Sequence, residues 1–118
     1  MPALEKITLH RLRIPLIKPY RLSFGAVENY EVIAAEITDP DGRSGLGEAN
    51  IITGYTNETI ADGWRAACEF AARVQQLDID AAKSATLRFG EQYPFTASAF
   101  GTALEMLDIA KQFLSVSR

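Results

Sequence analysis

The alternation of apolar and polar residues predicts three strands in the first half of the chain. One strand is predicted over 6–16, where Pro15 is expected to end it. A second is predicted over 29–38, where both faces carry apolar residues, so both are expected to be covered. The turn sequence Asp-Pro-Asp-Gly at 39–42 then leads into a third strand over 44–50. These strands would form an antiparallel meander.

Two parts of this predicted sheet have an unusual composition. Gly45 and Gly47 lower the strand propensity of the third strand, but they let another backbone or a side chain approach closely. Residues 17–27 combine Pro19 and Gly25 with aromatic and basic residues, which is typical of a shaped, partly exposed loop.

Helical spacing replaces strand spacing after residue 55. A helix is predicted over 57–76, capped by Thr56 or Asn57, with an apolar stripe formed by Ile60, Trp64, Ala67, Ala71 and Val74. Glu69 and Arg73, four residues apart, are expected to pair on its outer side.

A shorter helix is predicted over 79–89. It would start at Asp78 or Asp80 and end at Gly90, which stands where a left-handed C-cap belongs. Tyr93 and Pro94 mark the connection to the next element.

The last helix, predicted over 96–115, has apolar residues on two neighbouring stripes. One stripe consists of Phe100, Leu104, Leu107 and Leu114, and the other of Ala99, Ala103, Met106, Ala110 and Phe113. Together they exceed the apolar arc of about 100° that a helix packed on one side needs. This helix is therefore expected to have partners on two sides, so the isolated chain is expected to dimerise, exchange this helix or aggregate.

Composition limits the class of protein. The 118 residues are 47% hydrophobic and 23% charged, which fits one globular domain and leaves no room for a barrel enzyme of roughly 250 residues. A net charge of -3 makes nucleic acid an unexpected partner. The single cysteine cannot form an internal disulfide, and no secretory leader pattern precedes the first strand, so a cytoplasmic location is expected. No apolar run approaches about 18 residues, which excludes a membrane span.

No arrangement of residues predicts a complete catalytic site. The lone His10 favours a hydrogen-bonded structural role, while Cys68 and Trp64 are expected in the core. The glycines at 42, 45 and 47 lead into Glu48 and not into a helix, which argues against a nucleotide-binding loop. Glu48 stays open between ordering a neighbouring loop, which we favour, and a catalytic role. No metal site is expected within this chain.

The order of several short motifs resembles the amino-terminal capping domain of the muconate lactonizing enzyme and mandelate racemase group in the enolase superfamily. The motifs are Ile14-Pro15-Leu16, Lys18-Pro19-Tyr20, Ser23-Phe24-Gly25, Asp41-Gly42, Gly45-Leu46-Gly47-Glu48-Ala49, Gly54-Tyr55 and Ala103-Leu104-Glu105-Met106. One departure is that Asp108 follows Met106 two positions sooner than in the family pattern.

The resemblance implies an α+β cap, in which a three-stranded meander precedes a helical bundle, normally fused to a (β/α) barrel. That barrel would supply the bases and the acidic ligands of a Mg²⁺ ion for taking a proton α to a carboxylate. The cap would supply two loops over the substrate, matching 17–27 and 51–55 here. This chain alone is accordingly expected to be inactive.

Two interpretations follow for the chain as a whole. It is either the cap of an isomerase, cycloisomerase or epimerase whose barrel lies outside these residues, or a free-standing binding or self-assembly module that uses the barrel-facing surface for a partner or a second copy. In the first, Tyr20, Phe24 and Tyr55 are expected to bind a small carboxylate substrate together with the barrel; the alternative is that these rings simply fasten the loop to the domain. Lys18 and Arg21 would attract its carboxylate or be solvated loop charges, the role we favour.

Overall fold

A computed structural model describes residues 3–22, 25–51 and 58–117 of the chain. Its elements, in chain order, are β1 (Lys6–Leu22), β2 (Gly25–Thr38), β3 (Ser44–Asn50), α1 (Ile60–Val74), α2 (Ile79–Phe89) and α3 (Pro94–Ser117). The strands form one antiparallel sheet in the order β1-β2-β3. The predicted α+β fold class, a meander followed by helices, is confirmed.

The prediction of a loop over 17–27 is wrong, because two strands extend into this segment. β1 continues to Leu22 and β2 begins at Gly25, with Tyr20 paired to Val27 after a register shift that follows Pro15. Pro15 does not end the strand because β1 is an edge strand, and proline is tolerated on edges and at bulges. Backbone pairing therefore resumes at Tyr20, after the unpaired residues 16–19, within a segment whose composition suggests a loop.

The turn between β2 and β3 is held by one aspartate. Asp39 Oδ1 accepts hydrogen bonds from the backbone N–H groups of Asp41 at 3.0 Å and Arg43 at 2.9 Å. Its Oδ2 accepts from Arg43 Nε at 2.9 Å, and Arg43 also pairs with Asp41. Gly42 has φ +85°, a left-handed conformation that glycine adopts without a steric cost.

The core lies between the inner face of the sheet and the helices. Its largest fully buried apolar side chains come from both layers and are Phe100, Ile33, Ile37, Leu104, Leu107 and Val74. β3 reaches α3 through its glycines, since a Cβ at Gly45 would lie 1.9 Å from the carbonyl oxygen of Ala103. The close approach predicted for Gly45 and Gly47 is thereby confirmed.

The outer face of the sheet is not covered by a second layer in the described part of the chain, contrary to the expectation for β2. Val32 and Ala34 are buried there by their position on the central strand, between the side chains of β1 and β3. Leu12, Ile14 and Leu46 on the same face stay between 44% and 47% exposed. An apolar residue on a central strand can thus be buried without a covering helix.

The ends of the helices differ in part from the prediction. Thr59, and not Thr56 or Asn57, caps α1, because its side chain accepts from the N–H of Asp62. Asp78 caps α2 as predicted, accepting from Ala81 at 2.9 Å. Gly90 does end α2, but with a right-handed φ of -65°. Right-handed turns continue past it, and α3 begins already at Pro94, where the missing N–H of proline costs nothing.

Three side-chain expectations for α1 had different outcomes. Cys68 is exposed and not in the core, because it lies beside the apolar stripe and not on it. Trp64 is half-buried and packs against the core. Within the described residues no ion pair joins Glu69 to Arg73; the Arg73 guanidinium instead lies 5.6 Å from the centre of the Phe70 ring.

α3 buries one broad face and leaves part of its second stripe exposed. Ala99 and Ala103 of that stripe are buried against β3, whereas Met106 is 49% exposed. Ile109, which belongs to neither stripe, is 63% exposed. Asp108, which departs from the family pattern, accepts a 2.6 Å hydrogen bond from Lys83 and so ties α3 to α2. Among the residues the structure describes, no helix is both long and apolar enough to cross a membrane.

Candidate functional site

The two segments predicted to contact a substrate depart from the same end of the sheet. On β1 and β2 this end is the pair Pro15 and Asn29, beyond which β1 runs to Leu22 and β2 starts at Gly25. On β3 it is Asn50, paired with Val32, and the chain then leaves through Ile51, whose N–H donates to the carbonyl of Glu31 at 2.8 Å. We call this end, with the start of α3, the sheet-end site.

The start of α3 lies at the same end because α3 runs antiparallel to β3. Gly45 faces Ala103 and Leu107, whereas Gly47 faces Ala99 and Ala103, so positions later in β3 meet earlier positions in α3. Continuing that progression by one turn brings Asn50 and Ile51 towards the first turn of the helix.

Glu58 fixes the point where the chain returns from the second segment. This carboxylate is only 3% exposed and accepts three hydrogen bonds from the start of α3. Oε1 accepts from the N–H of Phe95 at 2.6 Å, and Oε2 accepts from the N–H of Thr96 at 3.0 Å and from its hydroxyl at 2.7 Å. The negative charge satisfies N–H groups that have no partner within the helix and lies at the positive end of its dipole.

The packing around Thr96 leaves little room for this contact to change. Thr96 is fully buried, and a Cβ at Gly63 of α1 would lie 2.7 Å from its hydroxyl oxygen. Glu58 and the neighbouring cap residue Thr59 thus hold the starts of α3 and α1 together. The return point of the second segment is therefore rigidly tied to two helices.

Sequence reasoning missed Glu58 as a site residue. Its partners lie 37 and 38 residues away along the chain, so no local spacing connects them. The one local signal is an acidic residue directly before the cap of a helix, which suggests a role at that helix and not at another one.

The predicted substrate-binding residues stay predictions. The backbone of Tyr20 lies in β1, but its side chain is outside the described residues, as are Phe24 and Tyr55 entirely. Lys18 and Arg21, the two basic residues of that segment, are exposed. The structure therefore shows that both predicted segments begin at one end of the sheet, and the three side chains themselves lie outside the described residues.

His10 and Glu48 lie away from the sheet-end site. Both are exposed on the outer face of the sheet, where they flank Ala34 from opposite sides. The backbones of His10 and Glu48 are two strand spacings apart, about 9.5 Å, with the backbone of Ala34 between them. The hydrogen-bonded structural role expected for His10 finds no side-chain partner among the described residues, and Glu48 projects to the outer face and not into the packed core.

Among the described residues, an ion pair and a buried amide oxygen lie at the rim of the site. Arg13 Nε lies 3.4 Å from Glu31 Oε1, and this pair is partly exposed to water. Asn50 Oδ1 is buried and has no hydrogen-bond partner among the described residues. In the same part of the chain no group of three or more His, Cys, Asp or Glu side chains could hold a metal ion, so these residues do not fit a Mg²⁺ site.

Known proteins share both sequence and fold with this chain. A scan of protein-family models gave no match. The "Hydrophobic dipeptide epimerase" of Citrifermentans bemidjiense is 30% identical over 103 residues, which are 86% of this chain and 28% of that protein. An "o-succinylbenzoate synthase" of Geobacillus kaustophilus is 36% identical over 69 residues, 57% of this chain and 18% of that protein.

Solved structures agree with the sequence matches. The dipeptide epimerase of Methylococcus capsulatus superposes with a TM-score of 0.75 at 27% identity, covering 95% of this chain and 32% of that one. The muconate lactonizing enzyme of Pseudomonas fluorescens superposes with a TM-score of 0.72 at 28% identity, covering 87% and 29%. The enolase-superfamily resemblance is confirmed. The chain has the amino-terminal, cap-like α+β fold of that superfamily and spans less than a third of the length of these relatives.

Proposed function

We propose that this chain is the substrate-capping and specificity domain of an isomerase in the mandelate racemase and muconate lactonizing enzyme group. The observation that carries the proposal is that the predicted segments 17–27 and 51–55 both begin at one end of the sheet. Ile51 and Glu58, both buried and hydrogen-bonded, hold the chain where it enters the second segment and where it returns from it. Two segments that begin at one end of a rigid scaffold suit a surface that closes over a ligand.

The proposed reaction is abstraction of a proton α to a carboxylate, carried out with a barrel domain. The dipeptide epimerases among the solved relatives are complexed with Mg and a dipeptide. The described residues of this chain do not fit a Mg²⁺ site, so we assign the metal and the bases to the barrel. The role left to this chain is to exclude water and to choose among small carboxylate substrates. The expected cytoplasmic location is part of this proposal and rests on the sequence alone.

A chimera tests the proposal. The matched amino-terminal region of the Citrifermentans bemidjiense epimerase is replaced by this chain, and α-proton exchange of a bulky and a small dipeptide is followed in D₂O. We expect activity only when both halves are present. Tyr20→Ala should change the ratio of kcat/KM between the two dipeptides by about 1 to 3 kcal/mol and leave Tm nearly unchanged.

Leu46→Ala is the matched control for that substitution. Leu46 is 47% exposed on the outer face of the sheet, away from the sheet-end site, so its loss should affect both dipeptides equally. If Tyr20→Ala lowers Tm and slows both dipeptides by the same factor, Tyr20 only anchors the hairpin, and its specificity role is wrong. An active barrel that needs no cap would contradict the capping function itself.

Self-association is a second candidate, and the exposure of Met106 and Ile109 favours it. Burying two such side chains against another copy would remove apolar surface from water. Light scattering should show a mass above that of one chain at micromolar concentration, and Met106→Lys with Ile109→Lys should restore the single-chain mass. Thr102→Lys, also exposed on α3, is the control. A monomer throughout the concentration range would refute the candidate.

A further inference from the structure

A cleft between α1 and α2 lies apart from the sheet-end site. Its volume is about 420 Å³, within the range of about 300 to 1,000 Å³ that is typical of small-molecule sites. Phe70, Val74 and Leu77 line it from the side of α1, and Ala85 and Phe89 line it from α2. We call it the aromatic cleft, and none of these residues takes part in the contacts described above for the sheet end.

The apolar wall of the aromatic cleft is built from aromatic rings that pack on one another. The rings of Phe70 and Phe89 stack with their centres 4.2 Å apart and their planes 3° from parallel. Phe100 of the core meets Phe70 edge-on, at 4.9 Å and 87°, and so supports the pair from behind. Tyr93 stacks on the other side of Phe89, with the ring centres 5.3 Å apart, so the stacked rings present their edges to the cleft and not a face. Ring edges carry positive partial charge, and they suit the face of an aromatic ring or a branched aliphatic group.

Two arginine side chains line the same cleft beside this wall. Arg73 and Arg88 both line the cleft and are exposed, and in the described part of the chain neither forms an ion pair with a carboxylate. Arg73 is four residues from Glu69 but lies over the Phe70 ring instead. Both arginines stand in the last turn of their helices, where the dipole stabilises a cation without a carboxylate partner. Their N–H donors therefore remain available to an anion that enters the cleft.

We propose that the aromatic cleft binds a small carboxylate that carries an aromatic ring, with the face of that ring against the edges of Phe70 and Phe89 and the carboxylate on Arg73 and Arg88. The carboxylate of such a ligand would pair with the two arginines, and its apolar body would pack against the Phe, Val and Leu side chains of the cleft. Charge complementarity and shape thus select the same molecule. This site is independent of the sheet-end site, so it stands whether or not the proposed capping function is correct.

Calorimetric titration of the chain with three matched compounds tests this site. The compounds are 3-phenylpropionate, 3-phenylpropan-1-ol, which has the same body without the charge, and propionate, which has the charge without the ring. We expect saturable binding of 3-phenylpropionate and at least about tenfold weaker binding of the other two, a difference of about 1.4 kcal/mol. Amide resonances of Phe89 and Gln92 should shift on binding, and those of Ile33 should not.

Substitution of the arginines separates their role from that of the fold. Arg73→Gln and Arg88→Gln should each weaken 3-phenylpropionate about tenfold and leave the binding of 3-phenylpropan-1-ol unchanged. Arg65→Gln, at an exposed arginine of the same helix that pairs with Asp62, should change neither. Equal affinity for the acid and the alcohol, equal weakening by Arg65→Gln, or no saturable binding up to about 10 mM would overturn the proposal.

Discussion

The carbonyl oxygen of Ala99 occupies the space that a side chain on Gly47 would need. A Cβ at Gly47 would lie 2.0 Å from that oxygen and 2.8 Å from the backbone nitrogen of Ala103. Both atoms belong to the main chain of α3, so no side chain can rotate away to make room. The distance between the sheet and the longest helix therefore depends on the absence of a single methyl group.

Gly47→Ala should destabilise the chain by about 3 kcal/mol or more, the upper end of what overpacking a core costs. Gly101→Ala is the matched control, because a Cβ there would only meet Thr86 at 4.0 Å. Within a helix that change should stabilise by up to about 1 kcal/mol. Urea denaturation followed by circular dichroism measures both. Equal effects at the two glycines would show that β3 and α3 are not in close contact.

Removing the carboxylate of Glu58 should loosen the start of α3. Glu58→Ala leaves the N–H groups of Phe95 and Thr96 buried without an acceptor, which costs about 1 to 3 kcal/mol. Amide hydrogen exchange should accelerate at residues 95 and 96. Thr59→Ala is the control, since it removes the cap of α1 and should accelerate exchange at Asp62 instead. Unchanged protection at 95 and 96 in Glu58→Ala would contradict the structure.

The contact between Lys83 and Asp108 should make stability depend on alkaline pH. The hydrogen bond to Asp108 raises the pKa of Lys83 above its ordinary value of 10.5; burial opposes this, and the charges of Asp108, Glu105 and Asp80 add to it. A raised lysine pKa in the folded chain contributes stability that is fully present below 10.5 and is lost as the pH rises through the folded value.

A double-mutant cycle with Lys83→Met and Asp108→Asn isolates that contribution from other alkaline titrations. At pH 8 the coupling energy should be about 0.5 to 1 kcal/mol, as for ion pairs that remain partly open to water. Above pH 10.5 it should decline. A coupling energy that stays constant from pH 8 to beyond the folded pKa of Lys83 would show that the charge is not involved.

The turn between β2 and β3 should distinguish residues by their tolerance of a positive φ. Gly42 has φ +85°, so Gly42→Ala should cost about 1 kcal/mol or more, and Gly42→Asn should cost less because asparagine enters that region more readily. Thermal denaturation measures the order of the three proteins. If alanine and asparagine are equivalent, the turn has adopted another conformation.

The sequence predicts those features of the fold that depend on neighbouring residues. The turn at 39–42, the cap at Asp78 and the glycine contact of β3 all follow from local chemistry or from a missing side chain. Pro15 shows where such reasoning fails, because its effect depends on whether the strand lies at an edge, and strand order is a property of the whole sheet.

The candidate site was predictable only in outline. Motif order predicted the two segments, yet their common origin depends on the register between β2 and its neighbours, and Glu58 depends on a contact across 37 residues. Arg73 shows a similar limit. Its spacing from Glu69 predicts an ion pair, but a neighbouring aromatic ring competes for the same guanidinium.

The seam between β3 and α3 also determines how the chain can move. At Gly45 and Gly47 no side chain stands between the two backbones, so no change of rotamer can widen or narrow the gap. We therefore expect β3 and α3 to move together as one rigid unit. Ile51 follows β3 directly, so a displacement of the middle of α3 would also displace the residue from which the second segment departs.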